Sequence, residues 1–295
     1  MYFYVQTKTI SMKRKILIPT DFSKNATQAL HYAIELYKND HCIFYLLNVF
    51  SSPSNFMDSI MRMEPGSELY ETAKLNSENG LAKTYDMIAM TEYENPKHDF
   101  KTVSVFNNPI EAIKNIVDQK DIEMIVMGTK GETHSRATAF GSTAIYVMEK
   151  VRNCPVIVVP QKAKIELPKE IVFPTNYKMH YKRRELSYLI DIAKNSDATI
   201  IILHVCEENE LDKTQKANKQ LLEDILEGCN YKFHDLSHNN VMSSINIFVE
   251  SRGSDMVSFI NKKHTFFGSI LTNALVKEIS FHLNVPILAM HDLRN

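Results

Sequence analysis

Short apolar runs alternate with amphipathic stretches along most of the chain. Lys15 to Pro19, Ile43 to Val49, Phe100 to Val105, Met124 to Met127 and Val156 to Val159 read as strands, nearly continuous in apolar residues, as strands buried on both faces are. Between them the period changes to that of a helix. Ser23 stands as an N-cap, and Ala26, Ala29, Leu30, Ala33, Ile34 and Tyr37 fall on one face behind it. A long helical stretch runs from Ser67 to Glu92. Asn108, Pro109 and Glu111 open another helix as N-cap, first and third positions, with Ile110, Ile113, Ile116 and Val117 as its apolar face. Ser142 to Arg152 is the last helix of this series. Strands separated by helices predict a parallel sheet with helices on both faces.

The pattern then recurs. "KILIPTDF" from Lys15 is answered by "EIVFPTNY" from Glu170, so that Pro19-Thr20-Asp21 matches Pro174-Thr175-Asn176. "LLNVF" from Leu46 matches "ILHVC" from Ile202, and "NCPVIVVP" from Asn153 matches "NVPILAM" from Asn284. Three matches in one order predict two copies of a single α/β domain. The expected division is an N-terminal extension over 1–12, taken as disordered, a first domain over 13–160, a linker over 161–169, a second domain over 170–291 and a tail over 292–295. The first copy carries extra residues after its second strand, and 51–66, with Phe56, Met57, Ile60, Met61 and Met63, are expected to form a flap on the ligand side or a plain surface loop.

Composition removes several classes of function. Lys plus Arg is 34 against 35 Asp plus Glu, so no global field draws nucleic acid or an anionic membrane. No apolar run is long enough to span a bilayer, and the N-terminus lacks the basic start and apolar centre of a secretory signal. Cys42, Cys154, Cys206 and Cys229 show no metal or redox spacing; the first three sit beside or inside apolar runs and read as buried reduced thiols. A cytoplasmic protein without metal ligands is the expectation.

Candidate chemistry is concentrated in one stretch, "MGTKGETHSRATAFGST", which holds three of the chain's eight glycines. Gly128 follows the fourth strand, Gly131 suits a sharp turn or close backbone approach, and Gly141-Ser142-Thr143 opens a helix. Ligands of such sheets sit beyond the carboxyl ends of the strands, and a helix N-terminus suits phosphate. Asp21 follows the first strand at the same end of the sheet, where capping the first helix is its plainer use. One carboxylate, several backbone donors and a cradle of phosphate size point to a nucleotide. Lys130, His134 and Arg136 are candidates to neutralise phosphates or simply a solvated face.

"ILIPTDFS", then "VMGTKG", nine residues and "GST" resemble the universal stress protein family, whose ATP-binding members carry Gly-x2-Gly-x9-Gly-Ser/Thr. The resemblance spans both copies. It implies five-stranded sheets in order 3-2-1-4-5, of the adenine nucleotide alpha hydrolase type, and ATP at the ends of strands one and four. In that order the fifth strand is an apolar edge, and related proteins pair through it; two copies in one chain are expected to make that pair internally and antiparallel, leaving a homodimer other surfaces. By that resemblance Asp21 recognises adenine, and Pro19 and Thr20 before it are nucleotide-binding. Val49 offers its backbone to the base, Met127 and Gly128 lie at the ribose, and Gly131, Gly141, Ser142 and Thr143 hold phosphate, with Mg or Mn carried on it. Two positions depart from the family: Asn48 stands where His is frequent, and Asn107 where Gly is frequent.

Aligned on Pro155 and Pro286, the second copy has Phe259 for Gly128, Lys262 for Gly131 and Thr272-Asn273-Ala274 for Gly141-Ser142-Thr143, while Asn176 replaces Asp21. It is expected to be structural or to bind partners. No Walker loop, zinc-protease helix or nucleophile elbow occurs. The reading is a regulatory ATP-binding protein. The alternatives are a slow ATPase or self-phosphorylating protein using Ser142 or Thr143, and a nucleotide-free pairing scaffold.

Overall fold

The computed structural model describes residues 13–51, 64–90, 95–129, 141–206, 210–237, 240–261 and 284–291. The first half contains β1 (Arg14–Pro19), α1 (Lys24–Leu36), β2 (Cys42–Phe50), α2 (Glu68–Ala89), β3 (His98–Phe106), α3 (Pro109–Lys120), β4 (Met124–Gly128), α4 (Ser142–Lys150) and β5 (Val156–Val159). The second contains β6 (Glu170–Thr175), α5 (Arg183–Ser196), β7 (Thr199–Cys206), α6 (Lys213–Ile225), β8 (Asn230–Ser237), α7 (Val241–Arg252), β9 (Met256–Asn261) and β10 (Ile287–His291). Among the described residues no helix is long and apolar enough to cross a membrane.

The strands form one sheet of ten, in the order β3-β2-β1-β4-β5-β10-β9-β6-β7-β8. Each half is parallel and follows the expected 3-2-1-4-5 order, and the halves join where β5 meets β10 antiparallel. Val158 faces Ile287, Ile157 faces Leu288 and Val156 faces Ala289, and all six are buried. The expected strand-five pairing is therefore what makes two sheets one, and it leaves β3 and β8 as the outer edges.

Alternation along the strands builds two cores. In β1, Ile16 and Ile18 belong to the layer that holds the apolar faces of α1 and α5, while Leu17 joins the opposite layer with Ile113 of α3, Val147 of α4 and Ile245 of α7. Ser23 caps α1 by accepting the Ala26 N–H at 3.2 Å, and Asn108 caps α3 by accepting that of Ile110 at 2.9 Å. Asp21 is thus not the cap of α1.

Several boundaries move. β2 and β3 run past the expected ends because they pair in register from Cys42↔His98 to Phe50↔Phe106, so backbone bonding, not hydrophobicity, sets their length. α2 ends at Ala89, short of Glu92, with Ser67 as its cap. α4 ends at Lys150, short of Arg152, where Val151 leaves helical geometry at φ −90° and ψ 87°. The interval between the second and third strands is 47 residues in the first half and 23 in the second, which accounts for the shortened repeat offset.

A candidate nucleotide cleft at the carboxyl ends of β1 and β4

A cleft of about 800 Å³, solvent mouth included, opens where β1 and β4 diverge. This is where the winding of such sheets reverses and ligands collect. The β1–α1 turn supplies Pro19, Thr20 and Asp21, β2 supplies Asn48 and Val49, and β4 supplies Met127 and Gly128. Gly141 and Thr143 enter from the amino end of α4. Ser142, the first residue of that helix, is exposed and lies beside this lining. Lys130, Gly131, His134 and Arg136 lie outside the described residues, as do 52–63 of the expected flap.

The β1–α1 turn is held from two directions. Thr20 N–H donates to the Leu47 carbonyl at 2.8 Å, and the Asn48 side-chain amide donates to the Thr20 carbonyl at 2.7 Å. Within the turn, Thr20 Oγ1 accepts from Phe22 N–H at 3.0 Å and Asp21 Oδ1 accepts from Ser23 N–H at 3.1 Å. These short-range bonds suit Phe22, whose φ of 66° is uncommon for a side chain of its size. The Asp21 carboxylate is thereby fixed at the rim and remains exposed.

The opposite wall is a helix N-terminus without a side-chain cap, a feature shared with α5. α1, α2 and α3 each have a side-chain cap, whereas Gly141 caps α4 with none, and the first turn carries no acidic residue. Gly141 N–H donates to the Thr129 carbonyl at 2.7 Å, and Thr129 N–H to Val159 at 3.2 Å, which anchors the start of α4 on the sheet. Gly141 and Thr143 place the amino end of α4, where helix amides and the positive end of the dipole lie, on the cleft lining, an arrangement suited to an anion.

Gly128 has a reason that spacing does not reveal. A Cβ there would come within 2.1 Å of Asn25 Nδ2 and 3.0 Å of the Asn25 carbonyl oxygen. α1 lies so close behind the end of β4 that only glycine is accommodated. Asn25 is buried and donates to Thr129 Oγ1 at 3.4 Å. Asn25 and Thr129 went unnoticed in the sequence because the contact joins positions 104 apart. Asn48 was visible as a departure from the family pattern, but its bond to Thr20 was not.

The second half keeps the scaffold of this turn and changes its occupants. Thr175 Oγ1 accepts from Tyr177 N–H at 3.0 Å, Asn176 Oδ1 accepts from Lys178 N–H at 3.0 Å, and Tyr177 has a φ of 55°. Tyr177 is buried against His204, ring centroids 4.9 Å apart, whereas Phe22 is 38% exposed. His204 stands at the register position of Asn48 and bonds Asp235 at 3.2 Å. Strand pairing also corrects the expected correspondence of Gly128 with Phe259. Ile125 N–H bonds Pro155 and Val257 N–H bonds Pro286, so the counterpart of Gly128 is Ile260, and that of Thr129 is Asn261. The buried Ile260 side chain takes up space that Gly128 leaves free. The stretches aligned with Gly131 and with Gly141 to Thr143 lie outside the described residues.

The cysteines agree with the reading of unreactive thiols. Cys42 and Cys154 are buried and free, and desolvation pushes the Cys42 pKa up to about 12 and raises that of Cys154 as well. The Cys206 side chain lies outside the described residues.

Comparison with known proteins agrees with this geometry. The universal stress protein family model matches residues 12–160. Universal stress protein MJ0577 of Methanocaldococcus jannaschii is 32% identical over 165 residues, 51% of this chain and 97% of that protein. Universal stress protein MJ0531 of the same organism is 29% identical over 155 residues, 52% of this chain and 86% of that protein. The crystal structure of a universal stress protein from Archaeoglobus fulgidus has a TM-score of 0.68 at 17% identity, covering 93% of this chain and 95% of that one, so the likeness in fold extends through both halves. The chain belongs to the universal stress protein family.

Proposed function

We propose that this protein binds ATP in the first-half cleft as a regulatory ligand, and that the second half is a structural or partner-binding domain. The domains in this reading are 13–160 and 170–291, tandem copies joined by 161–169. The observation that carries it is the convergence of Asp21, Gly128 and the open N-terminus of α4 on one cleft of about 800 Å³. That volume lies in the range of small-ligand sites. The described residues suit the ligand at both ends. Phosphate would lie at the α4 amides and the Thr143 hydroxyl, with Gly131, Ser142, Lys130 and Arg136 joining there and Mg or Mn carried on the phosphates. Adenine would lie at Pro19, Thr20, Asp21 and Val49, with ribose at Met127 and Gly128.

Loss of Asp21 to Asn176 and of Gly128 to Ile260 argues for one nucleotide per chain. A homodimer would form through surfaces other than the paired fifth strands. The test is to purify the protein without added ATP, release any bound small molecule by denaturation and identify it by mass, then titrate ATP by calorimetry. One adenine nucleotide per chain supports the reading; no nucleotide and no heat would leave a pairing scaffold instead. Thr143 in the cleft also keeps slow hydrolysis or self-phosphorylation in view, and a time course of ADP release with intact-mass measurement separates these from simple binding.

A further inference from the structure

Two separate cavities are floored by equivalent segments of the two halves. The first is lined by Tyr32, Asn284, Val285 and Pro286, the second by Tyr188, Asn153, Cys154 and Pro155. Pro286 and Pro155 are counterparts, since their carbonyls accept the equivalent N–H groups of Val257 and Ile125. Tyr32 and Tyr188 are counterparts on α1 and α5, where buried Ala29, Leu30, Ala33 and Ile34 match buried Glu185, Leu186, Leu189 and Ile190.

The two cavities differ in what stands beside the tyrosine. Arg184 and Glu185 line the Tyr188 cavity, which is about 260 Å³. α1 carries Gln28 and Ala29 at those positions, and the Gln28 amide is drawn away to the Ala163 carbonyl at 2.6 Å. The Tyr32 cavity is about 770 Å³, solvent mouth included.

Its walls are opposite in charge. Lys162 and Lys164 stand on the segment that joins the halves, with Glu166 beyond them. Glu250 and Asp255 stand at the carboxyl end of α7, where the helix dipole is negative. Val249, Val285 and Pro286 give an apolar surface between them. Tyr32 is 2% exposed, and its hydroxyl has no hydrogen-bond partner among the described residues. Burial first, and Asp255 second, raise its pKa, so the group is a proton donor. A buried donor left without an acceptor is costly, and an acceptor brought by a ligand removes the cost.

We propose that the Tyr32 cavity is a second ligand site, separate from the nucleotide cleft, for a small zwitterion of the amino-acid type with an apolar side chain. The carboxylate turns to Lys162, Lys164 and the Tyr32 hydroxyl. The ammonium turns to Glu250, Asp255 and the end of α7, and the side chain lies on Val249, Val285 and Pro286. A simple anion would face three carboxylates, and a simple cation two ammonium groups, so a ligand carrying both charges matches the walls best.

The intact chain is titrated by calorimetry with L-leucine and L-phenylalanine, and with isovalerate and isoamylamine as singly charged controls. One apolar amino acid binds at one per chain, the controls bind at least about tenfold more weakly, and Tyr32→Phe weakens binding about tenfold with ATP titration unchanged. Because Tyr32 is buried, the doubly substituted Lys162→Ala/Lys164→Ala chain, altered only at exposed positions, serves as a second variant with the same expected loss. The proposal is overturned if neither amino acid binds by about 10 mM, if the controls bind equally, if both variants bind as the native chain does, or if a second ATP fills this cavity.

Discussion

The side-chain amide of Asn261, at the end of β9, donates to the Met148 carbonyl of α4 at 2.9 Å, and Arg152 donates to the Asn261 carbonyl at 2.9 Å. Asn261 is buried and occupies the place that Thr129 holds in the first half. The helix whose amino end faces the cleft is therefore tied at its other end to the second half. Asn261→Leu leaves the Met148 carbonyl without that donor and is expected to cost about 1–3 kcal/mol. Urea unfolding measures this; an unchanged midpoint would show that the clamp contributes nothing.

Gly128→Ala places a methyl group against Asn25, where the nearest atoms are the side-chain Nδ2 at 2.1 Å and Cγ at 2.9 Å, followed by the backbone oxygen at 3.0 Å. α1 must shift, at about 1–3 kcal/mol. Combining it with Asn25→Ala should recover part of the loss, because the side-chain clash disappears while the backbone contact remains. Simple additivity in a double-mutant cycle would argue that the contact with Asn25 is not the cause.

Gly141 has φ −73° and ψ 153°, extended backbone open to any residue. Gly141→Val should therefore retain the fold, losing about 1 kcal/mol as a poorer N-cap. Its branched side chain would stand where phosphate approaches the α4 amides. Calorimetry is expected to show ATP binding abolished while circular dichroism is unchanged; native affinity would remove this end of the helix from the site.

Val158 is buried opposite Ile287 in the β5–β10 pair. A carboxylate placed there by Val158→Asp has no partner, and the expected loss exceeds about 3 kcal/mol. The halves share continuous cores, so both should weaken together in one transition. A fragment of residues 13–160 would expose the β5 edge and is expected to dimerise or lose stability. A monomeric fragment as stable as the full chain, seen by analytical ultracentrifugation and urea unfolding, would contradict this.

Two bonds from Arg252, at 2.9 and 2.5 Å, and a further one from Ser254 hold the Glu170 carboxyl below its ordinary value of 4.5, against desolvation acting the other way. A folded pKa below the unfolded one means that folding favours the ionised form. The stabilisation is complete above the unfolded value and fades as pH falls through the lower folded value. Glu170→Gln should cost about 1 kcal/mol at pH 7 and progressively less in acid below the ordinary carboxylate range. A difference that is the same at both ends of the titration would mean that charge is not involved.

Local chemistry alone determined much of this protein. Ser23 and Asn108 cap helices through bonds two or three residues long, and the strands betray themselves by apolar runs, because both signals are written within a few neighbouring positions. The Pro-Thr repeat exposed two copies because the same turn, closed by Thr20 in one and Thr175 in the other, needs the same residues. The β5–β10 pairing was legible through the strand order that the family resemblance implies, since an apolar edge strand must be covered. What required the tertiary structure were the side-chain contacts between elements distant in sequence. Gly128 meets Asn25, Asn48 holds Thr20, and Asn261 meets Met148 over separations that no periodicity encodes. The correspondence of Gly128 with Ile260 was settled by strand register, because an alignment anchored on two prolines cannot tell that the link from the fourth to the fifth strand is one residue longer in the first half. Side-chain pattern records which face is buried; backbone pairing between distant strands decides which residues then stand opposite one another.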